Sequence, residues 1–292
     1  MTVLVVGKGG TLGAALAGRL EAEAIELRAS DPREASLVAE VARASVVVNA
    51  SGPRVRPGLA FEDYFREHVG VAARVVRSMQ PGAHLVHVSS TAVFGARGTR
   101  LAAGDPEAPT LFPSSAYACA KLAAEAQVRA LARERKIRVT VLRPSMVYGP
   151  GIDSALASIL RLSARGIGLT LAPARLRQHL VHVDLFVDAV SRAALTTPRE
   201  GERLLLVADP FVLTNADLAP PRGVPLTIPL GLTSAVGELA RRGGASILPL
   251  EALEVLAIDN EFEWRPLFEE LGLDEARYAR ERTFDPYFGS GT

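Results

Sequence analysis

The N-terminus constrains this chain more than any other stretch. A continuous apolar run, Val3-Leu4-Val5-Val6, leads without a break into Gly7-Lys8-Gly9-Gly10-Thr11-Leu12-Gly13, after which Leu12, Leu16 and Leu20 recur at spacing four. The unbroken apolar run predicts a strand buried on both faces, and the stripe predicts a helix. Between them Gly7, Gly10 and Gly13 fall three residues apart. The first allows a tight turn, the second lets backbone approach a pyrophosphate, and the third lets helix pack closely on strand. The helix start then offers unpaired amides and a positive dipole end to phosphate. Strand, turn and helix together predict a dinucleotide site built from Gly7, Lys8, Gly10, Thr11, Leu12 and Gly13.

The same alternation continues. Strands are expected at Ile25–Ala29, Ser45–Val48, Leu85–Ser89 and Ile137–Leu142, with helices between them. Asp31, Pro32 and Glu34 suit the cap, first position and reciprocal cap of one helix. Phe61, Phe65, Val69, Val76 and Met79 are placed on one face of a long helix, and Ser114 or Ser115 caps another that runs to about Arg135. Strand–helix–strand order favours parallel pairing with right-handed crossovers, hence an α/β doubly wound parallel sheet of the Rossmann kind. The later chain is less regular. It predicts a helix at Ser154–Ala164, strands near Gly168–Leu171, Val181–Val183 and Leu204–Val207, and helices at Asp184–Leu195, Ala235–Arg242 and Leu267–Leu271. Residues 1–150 with 180–200 are read as the dinucleotide-binding domain, and 151–179 with 201–292 as a smaller substrate-binding lobe.

Composition excludes several classes. Of the 292 residues 48% are hydrophobic and 22% charged, which argues against disorder over most of the chain. A net charge of +1 removes the bulk electrostatic case for nucleic acid. No apolar run reaches the ~18 residues of a membrane span, and the first strand lacks the flanks of a signal peptide. With Cys119 as the single cysteine no internal disulfide forms, so a cytoplasmic protein acting on a small molecule is expected. His84 with His87, and His179 with His182, lie three apart on strands, point to opposite faces and predict no metal site. Cys119 and Trp264 read as packing residues.

The second strong signal is Tyr117-Ala118-Cys119-Ala120-Lys121 on a predicted helix. Residues four apart share a helix face, so Tyr117 and Lys121 point into one cleft. A phenol titrates near ~10, and a cation about 4–5 Å away at an effective dielectric near 20 stabilises its anion by roughly 3–4 kcal/mol. Lys121 is therefore expected to lower the Tyr117 pKa. A hydroxyl of Ser89-Ser90-Thr91, at the exit of the preceding strand, is placed to hold a substrate oxygen. For the dinucleotide, Arg28 at the end of the second strand, together with Lys8, suits a 2′-phosphate, so NADP(H) is favoured over NAD(H). Asp31 is the acidic counter-candidate for a 2′-hydroxyl.

The chain resembles the extended short-chain dehydrogenase/reductases, the NAD(P)-dependent epimerase/dehydratase group, and within it the dTDP-4-dehydrorhamnose reductase-like branch. The matching segments are Gly7-x-x-Gly10-x-x-Gly13, Asn49-Ala50-Ser51-Gly52, Val88 to Gly95, Tyr117-x-x-x-Lys121 with Glu125, Leu142 to Pro150, and Val181-His182-Val183-Asp184, in family order over about residues 1–210. The resemblance implies Tyr117 as acid/base, Ser90 as the catalytic hydroxyl, and Lys121 as the group that binds nicotinamide ribose and lowers the tyrosine pKa. It places Asn49, Ala50, Ser51, Pro144 and Val147 at the cofactor, and Thr91, Ala92, Arg177 and Gln178 at the substrate. It also implies a homodimer through the third long helix and the tyrosine helix.

Departures from the family bear on the substrate. Gln178 stands where sugar-nucleotide epimerases usually carry arginine, His68 where asparagine is frequent, and Met146 where asparagine precedes Val-Tyr-Gly-Pro. Thr91-Ala92 replaces the Asp-Glu of dehydratases, which ranks dehydration last. The resulting expectation is hydride transfer at a secondary alcohol or ketone of a sugar nucleotide or related polyhydroxylated or keto metabolite. The alternatives are a ketoreductase of a hydrophobic, sterol-like or polyketide-derived ketone, and a non-catalytic dinucleotide-binding sensor.

Overall fold

Six parallel strands form the central sheet of the computed structural model, in the order β10-β5-β4-β3-β1-β2. The structure describes residues 1–28, 34–55, 59–95, 113, 115–152, 156, 167–172, 174–198, 201–218, 224–229 and 259–283. The central strands are β1 (Val3–Val6), β2 (Glu23–Ile25), β3 (Val46–Asn49), β4 (His84–Val88), β5 (Arg138–Pro144) and β10 (Glu202–Val207). Strand order reverses beside β1, with β2 on one side and β3 on the other, so the carboxyl ends of β1 and β3 flank the crevice where ligands bind in such sheets.

Alternation along the strands explains the two layers. Val5, Val48, Val86 and Leu142 face α1 (Thr11–Leu20) and α6 (Val183–Leu195), where they meet Leu16, Phe186 and Val190. Leu4, Val6, Val47, Leu85 and Val141 face the opposite side, against α2 (Glu34–Arg43), α4 (Val71–Ser78) and α5 (Ala116–Arg135). Burial on both faces is why these strands carry near-continuous Val and Leu. Ser115 caps α5 by accepting from the Ala118 amide.

Two expectations are corrected. β2 ends at Ile25, not beyond Arg28, because the Gly7 and Lys8 amides both donate to the Ile25 carbonyl and turn the chain there. The helix carrying Phe61 is not one continuous face: α3 (Phe61–Phe65) passes through a π turn (Arg66–Gly70) into α4. The wider turn shifts the helical phase, so Val76 and Met79 are buried while Phe61 and Phe65 stack on each other in the open. β10 pairs with β5 in the central sheet. A further strand, β12 (Val224–Pro229), runs parallel to β7 (Ile167–Ala172). The Asp31–Pro32 helix start, most of Ser154–Ala164, and Ala235–Arg242 lie outside the described residues.

Short pairings continue beyond β5. β6 (Met146–Tyr148) runs parallel to β9 (Leu180–His182), and β8 (Arg177–Gln178) antiparallel to β11 (Leu213–Thr214). The buried Asp209 ties them to the sheet. Its carboxylate accepts from the Tyr148 hydroxyl at 2.8 Å and the His182 amide at 2.9 Å. The His179 ring donates to the Asp209 carbonyl at 2.7 Å and accepts from the Phe262 amide at 2.9 Å. A 3-10 turn (Glu275–Tyr278) follows α7 (Arg265–Leu271), and Asp188 of α6 anchors it: Tyr278 donates to that carboxylate at 2.6 Å, beside Arg19 and Arg277. Among the described residues no helix is long and apolar enough to cross a membrane.

Burial raises the Asp209 carboxyl to about 7, against two hydrogen bonds that favour its anion. Between about pH 4 and 7 the folded chain therefore holds a proton that the unfolded chain has released, and stability falls as pH rises through that window. Asp209→Asn removes the titration. Melting curves are expected to show the variant gaining on the wild type between pH 5 and pH 8, by up to a few kcal/mol.

Candidate active site

The glycine turn owes its shape to close backbone contact. A Cβ on Gly13 would overlap the Gly7 carbonyl oxygen, and one on Gly7 (φ +115°) would meet the Ala50 carbonyl oxygen at 2.7 Å. The turn thus rests on the segment leaving β3. Gly10, at the N-cap of α1, provides no side-chain cap, so the first-turn amides of Thr11, Leu12 and Gly13 have no intrahelical acceptor and no cap. A side-chain-free cradle ending on an uncapped helix fits a dinucleotide pyrophosphate. Lys8 and Thr11 are exposed beside it.

One residue of this region escaped the sequence reading. Glu26, the first residue past β2, accepts from the Gly9 amide at 2.6 Å and faces the Arg28 guanidinium at 3.7 Å. The apolar pattern of Ile25–Ala29 points to a strand end at Arg28, beyond the strand end found at Ile25. Arg28 is exposed.

Ser90, Tyr117 and Lys121 meet at the carboxyl end of β4. The Ser90 hydroxyl oxygen accepts from the Ala92 amide at 3.1 Å, capping a 3-10 turn (Thr91–Phe94), and Ser90 acts on the Tyr117 phenol in the direction that favours its anion. Lys121 is buried, with Nζ donating to the Val88 carbonyl at 3.0 Å and lying 5.9 Å from the centre of the Tyr117 ring. The expected lowering of the phenol pKa is overturned. Burial pushes Tyr117 up to about 12, with Ser90 as a partial offset. The same burial pulls Lys121 down to about 8, opposed by the charge of Glu125. Lys121 Nζ is held by the Val88 carbonyl, over the Tyr117 ring.

Beneath them lies a buried ion pair. Arg143 reaches Glu125 at 2.7 and 3.0 Å, Ser89 also donates to Glu125, and the Arg143 guanidinium lies 5.1 Å from the Phe94 ring centre. Asn49 accepts from the Ser51 hydroxyl at 2.6 Å and its amide meets His87 Nδ1 at 3.3 Å. His68 packs at 5.5 Å, edge to face, on Tyr117. Burial and the Lys121 charge bring His68 to about 2 and His87 to about 3, so both rings are neutral.

The remaining predicted residues divide. Ala50 and Val147 are half-buried, and Ser51 and Pro144 are buried at the strand ends of the same edge. Thr91 and Ala92 are half-buried in the turn that Ser90 caps. Arg177 is engaged elsewhere: its guanidinium pairs with Glu261 and approaches Asp259 at 3.8 Å, and its amide donates to Asp259 at 2.7 Å. Gln178 is buried. Among the described residues no group of histidine, cysteine or carboxylate side chains is arranged to hold a metal ion.

Comparison with known proteins follows the same lines. The model of the "NAD dependent epimerase/dehydratase family" matches residues 3–204. A UDP-glucose 4-epimerase from Vibrio cholerae is 31% identical over 107 residues, which cover 36% of this chain and 32% of that protein. The chain therefore aligns with about a third of that relative's length. Among solved structures, the human epimerase family protein SDR39U1 (isoform 2) with NADPH superposes with a TM-score of 0.74 at 16% identity, over 98% of this chain and 99% of that one. MoeE5 in complex with UDP-glucose and NAD gives 0.69 at 20% identity, over 93% and 92%. UDP-glucuronic acid 4-epimerase from Bacillus cereus, with UDP-glucuronic acid and NAD, gives 0.69 at 14%, over 98% and 99%. At such identities the likeness is one of fold.

Gly13→Ala tests the cradle directly. The added methyl meets backbone that cannot rotate away, so about 1–3 kcal/mol of stability should be lost. A nicotinamide dinucleotide should no longer raise the melting temperature, as read by thermal shift with and without it.

Proposed function

The chain belongs to the NAD dependent epimerase/dehydratase family, more than half of its length being matched, and from that premise we propose that it is an NAD(P)-dependent enzyme moving hydride at a secondary alcohol or ketone carbon. The observation that carries the reading is the convergence of the half-buried Ser90 and Tyr117 with the buried Lys121 at the carboxyl end of β4. A bound nicotinamide supplies or accepts the hydride. The chain's own residues handle the proton. With its phenol held protonated, Tyr117 is the acid that gives a proton to the substrate oxygen during reduction, and the base that takes it back in oxidation. Ser90 orients that oxygen. Lys121 places a positive charge under the ring, where it opposes build-up of further positive charge and favours the phenolate left after proton donation. Reduction and epimerisation share this step.

For the cofactor we favour NADP(H). The exposed Arg28 and Lys8 provide cations for a 2′-phosphate, while Glu26 is already engaged by the Gly9 amide. Arg28→Ala should weaken NADPH about 10-fold or more and leave NADH nearly unchanged in fluorescence titrations, the size expected for one charge-assisted contact. A selective loss of NADH in Glu26→Ala, with Arg28→Ala silent, would reverse the preference.

The substrate class we propose first is a sugar nucleotide or a related polyhydroxylated or keto metabolite. A specific observation favours a second reading, an uncharged hydrophobic ketone: Arg177, the nearest arginine to the position expected to meet nucleotide phosphate, is neutralised by Glu261 and Asp259. Thermal shift with UDP-glucose and NADPH together separates them, since a specific ligand stabilises by mass action. We also place a homodimer contact on the exposed Phe61–Phe65 pair and α5, where Phe61→Asp should yield a monomer by light scattering.

Tyr117→Phe tests the reaction itself. Turnover should fall by about 10²-fold or more with dinucleotide affinity unchanged, since only the proton donor is removed. A variant with wild-type turnover would leave a dinucleotide-binding sensor as the reading.

A further inference from the structure

The segment leaving β3 touches the glycine turn at one end and the neighbourhood of Tyr117 at the other, and one side chain spans the second gap. His68 sits in the π turn, a feature that collects at functional sites, and the turn carries its ring inward to 3% exposure. Its Nε2 lies 3.0 Å from the Pro53 carbonyl, which requires the proton on Nε2 and leaves Nδ1 bare. Nδ1 and Cε1 press against Gly52 (φ +101°), where a Cβ would overlap both atoms. The ring also packs 5.5 Å from Tyr117 at 77°, while Tyr64, stacked parallel to His68, completes the cluster at 6.0 Å from Tyr117.

Contacts therefore run without a gap from Gly7 to Ala50 and Ser51, through Gly52 and Pro53, to His68 and Tyr117. Ser51 is itself fixed on Asn49 at 2.6 Å, so the loop has little freedom between its two ends. We infer that His68 is a positioning residue which couples the loop after β3 to Tyr117, so that occupancy of the dinucleotide turn is felt at the phenol. This rests on the reading of Tyr117 as the proton-transfer group. The link is packing plus one hydrogen bond. No ion pair is involved, because burial and the charge of Lys121 keep the ring neutral. The titratable groups facing Tyr117 are Lys121 on its own helix and Tyr64 and His68 from the π-turn helix, and Ser90 acts on it as well. His87 and Lys121 act on His68.

The test needs no substrate. Tyrosines labelled with carbon-13 at the hydroxyl-bearing carbon are followed by NMR against pH, with and without NADPH, and Tyr117→Phe assigns the signal. In the wild type the Tyr117 signal should titrate above pH 11 and should move when NADPH binds. In His68→Ala its titration should fall by about one unit or more, as expected when a desolvated phenol gains water. Its response to NADPH should vanish, and NADPH affinity should fall several-fold. His68→Phe keeps the packing but not the donor, so it should retain the high titration and lose the NADPH response. His68→Gln retains an N–H for Pro53 and should recover part of that response. It serves as the readout if His68→Ala does not fold.

A purely structural His68 would lower the melting temperature and leave the NADPH response intact. That result overturns the inference, as does a wild-type Tyr117 signal indifferent to bound NADPH. Failure of the underlying reading is distinct: a coupled His68 with full turnover in Tyr117→Phe would place the chemistry elsewhere.

Discussion

Lys121 reaches from α5 to the Val88 carbonyl, and this one hydrogen bond fixes the register of the helix against the strand at the carboxyl end of the sheet. Tyr117 lies one helical turn before it and Glu125 one turn after, so both are set by the same anchor. An ammonium taken out of water must be compensated. Here the compensation is the carbonyl, aided by Glu125, which is itself held by Arg143 and Ser89. Lys121 and Arg143 against Glu125 leave a buried group of two cations and one anion. The Lys121 charge is part of why His68 and His87 stay neutral.

How much of this was legible in the sequence depends on whether a feature is local. The glycine turn reads directly from its spacing, and Gly13 is dictated within the strand–turn–helix unit by the Gly7 carbonyl, whereas Gly7 itself is held close by Ala50 beyond it. Tyr117 and Lys121 read from helical spacing, and Ser115 from its capping chemistry. Glu26 was missed because strand length is set by the partner: the Gly7 and Lys8 amides end β2 at Ile25, which no pattern inside Ile25–Ala29 reveals. The exposed Phe61 and Phe65 were misplaced because a π turn breaks the helical phase between them and Val76, and apolar spacing alone carries no mark of the extra residue. Arg177 is a tertiary case. Its partners Asp259 and Glu261 stand more than eighty positions away and become visible only when β8 meets the 259–262 segment.

The error over the tyrosine is the most informative. Spacing places a cation near a phenol, and Coulomb's law then lowers the phenol pKa. Spacing is silent on how much water the helix face keeps. Desolvation acts on both partners at once, raising Tyr117 to about 12 and lowering Lys121 to about 8. The pair is thereby driven toward the state in which each is least charged, and the phenol keeps its proton across the physiological range. A site built this way starts as an acid with a cation beneath it. On the proposed reading, negative charge appears on the phenolic oxygen only after its proton has moved to substrate, when Ser90 donates to it and the excess positive charge of the Lys121–Glu125–Arg143 group opposes it from below. The desolvation that makes Tyr117 a poor anion at rest thus acts before the reaction, and the electrostatic help arrives when the proton has left.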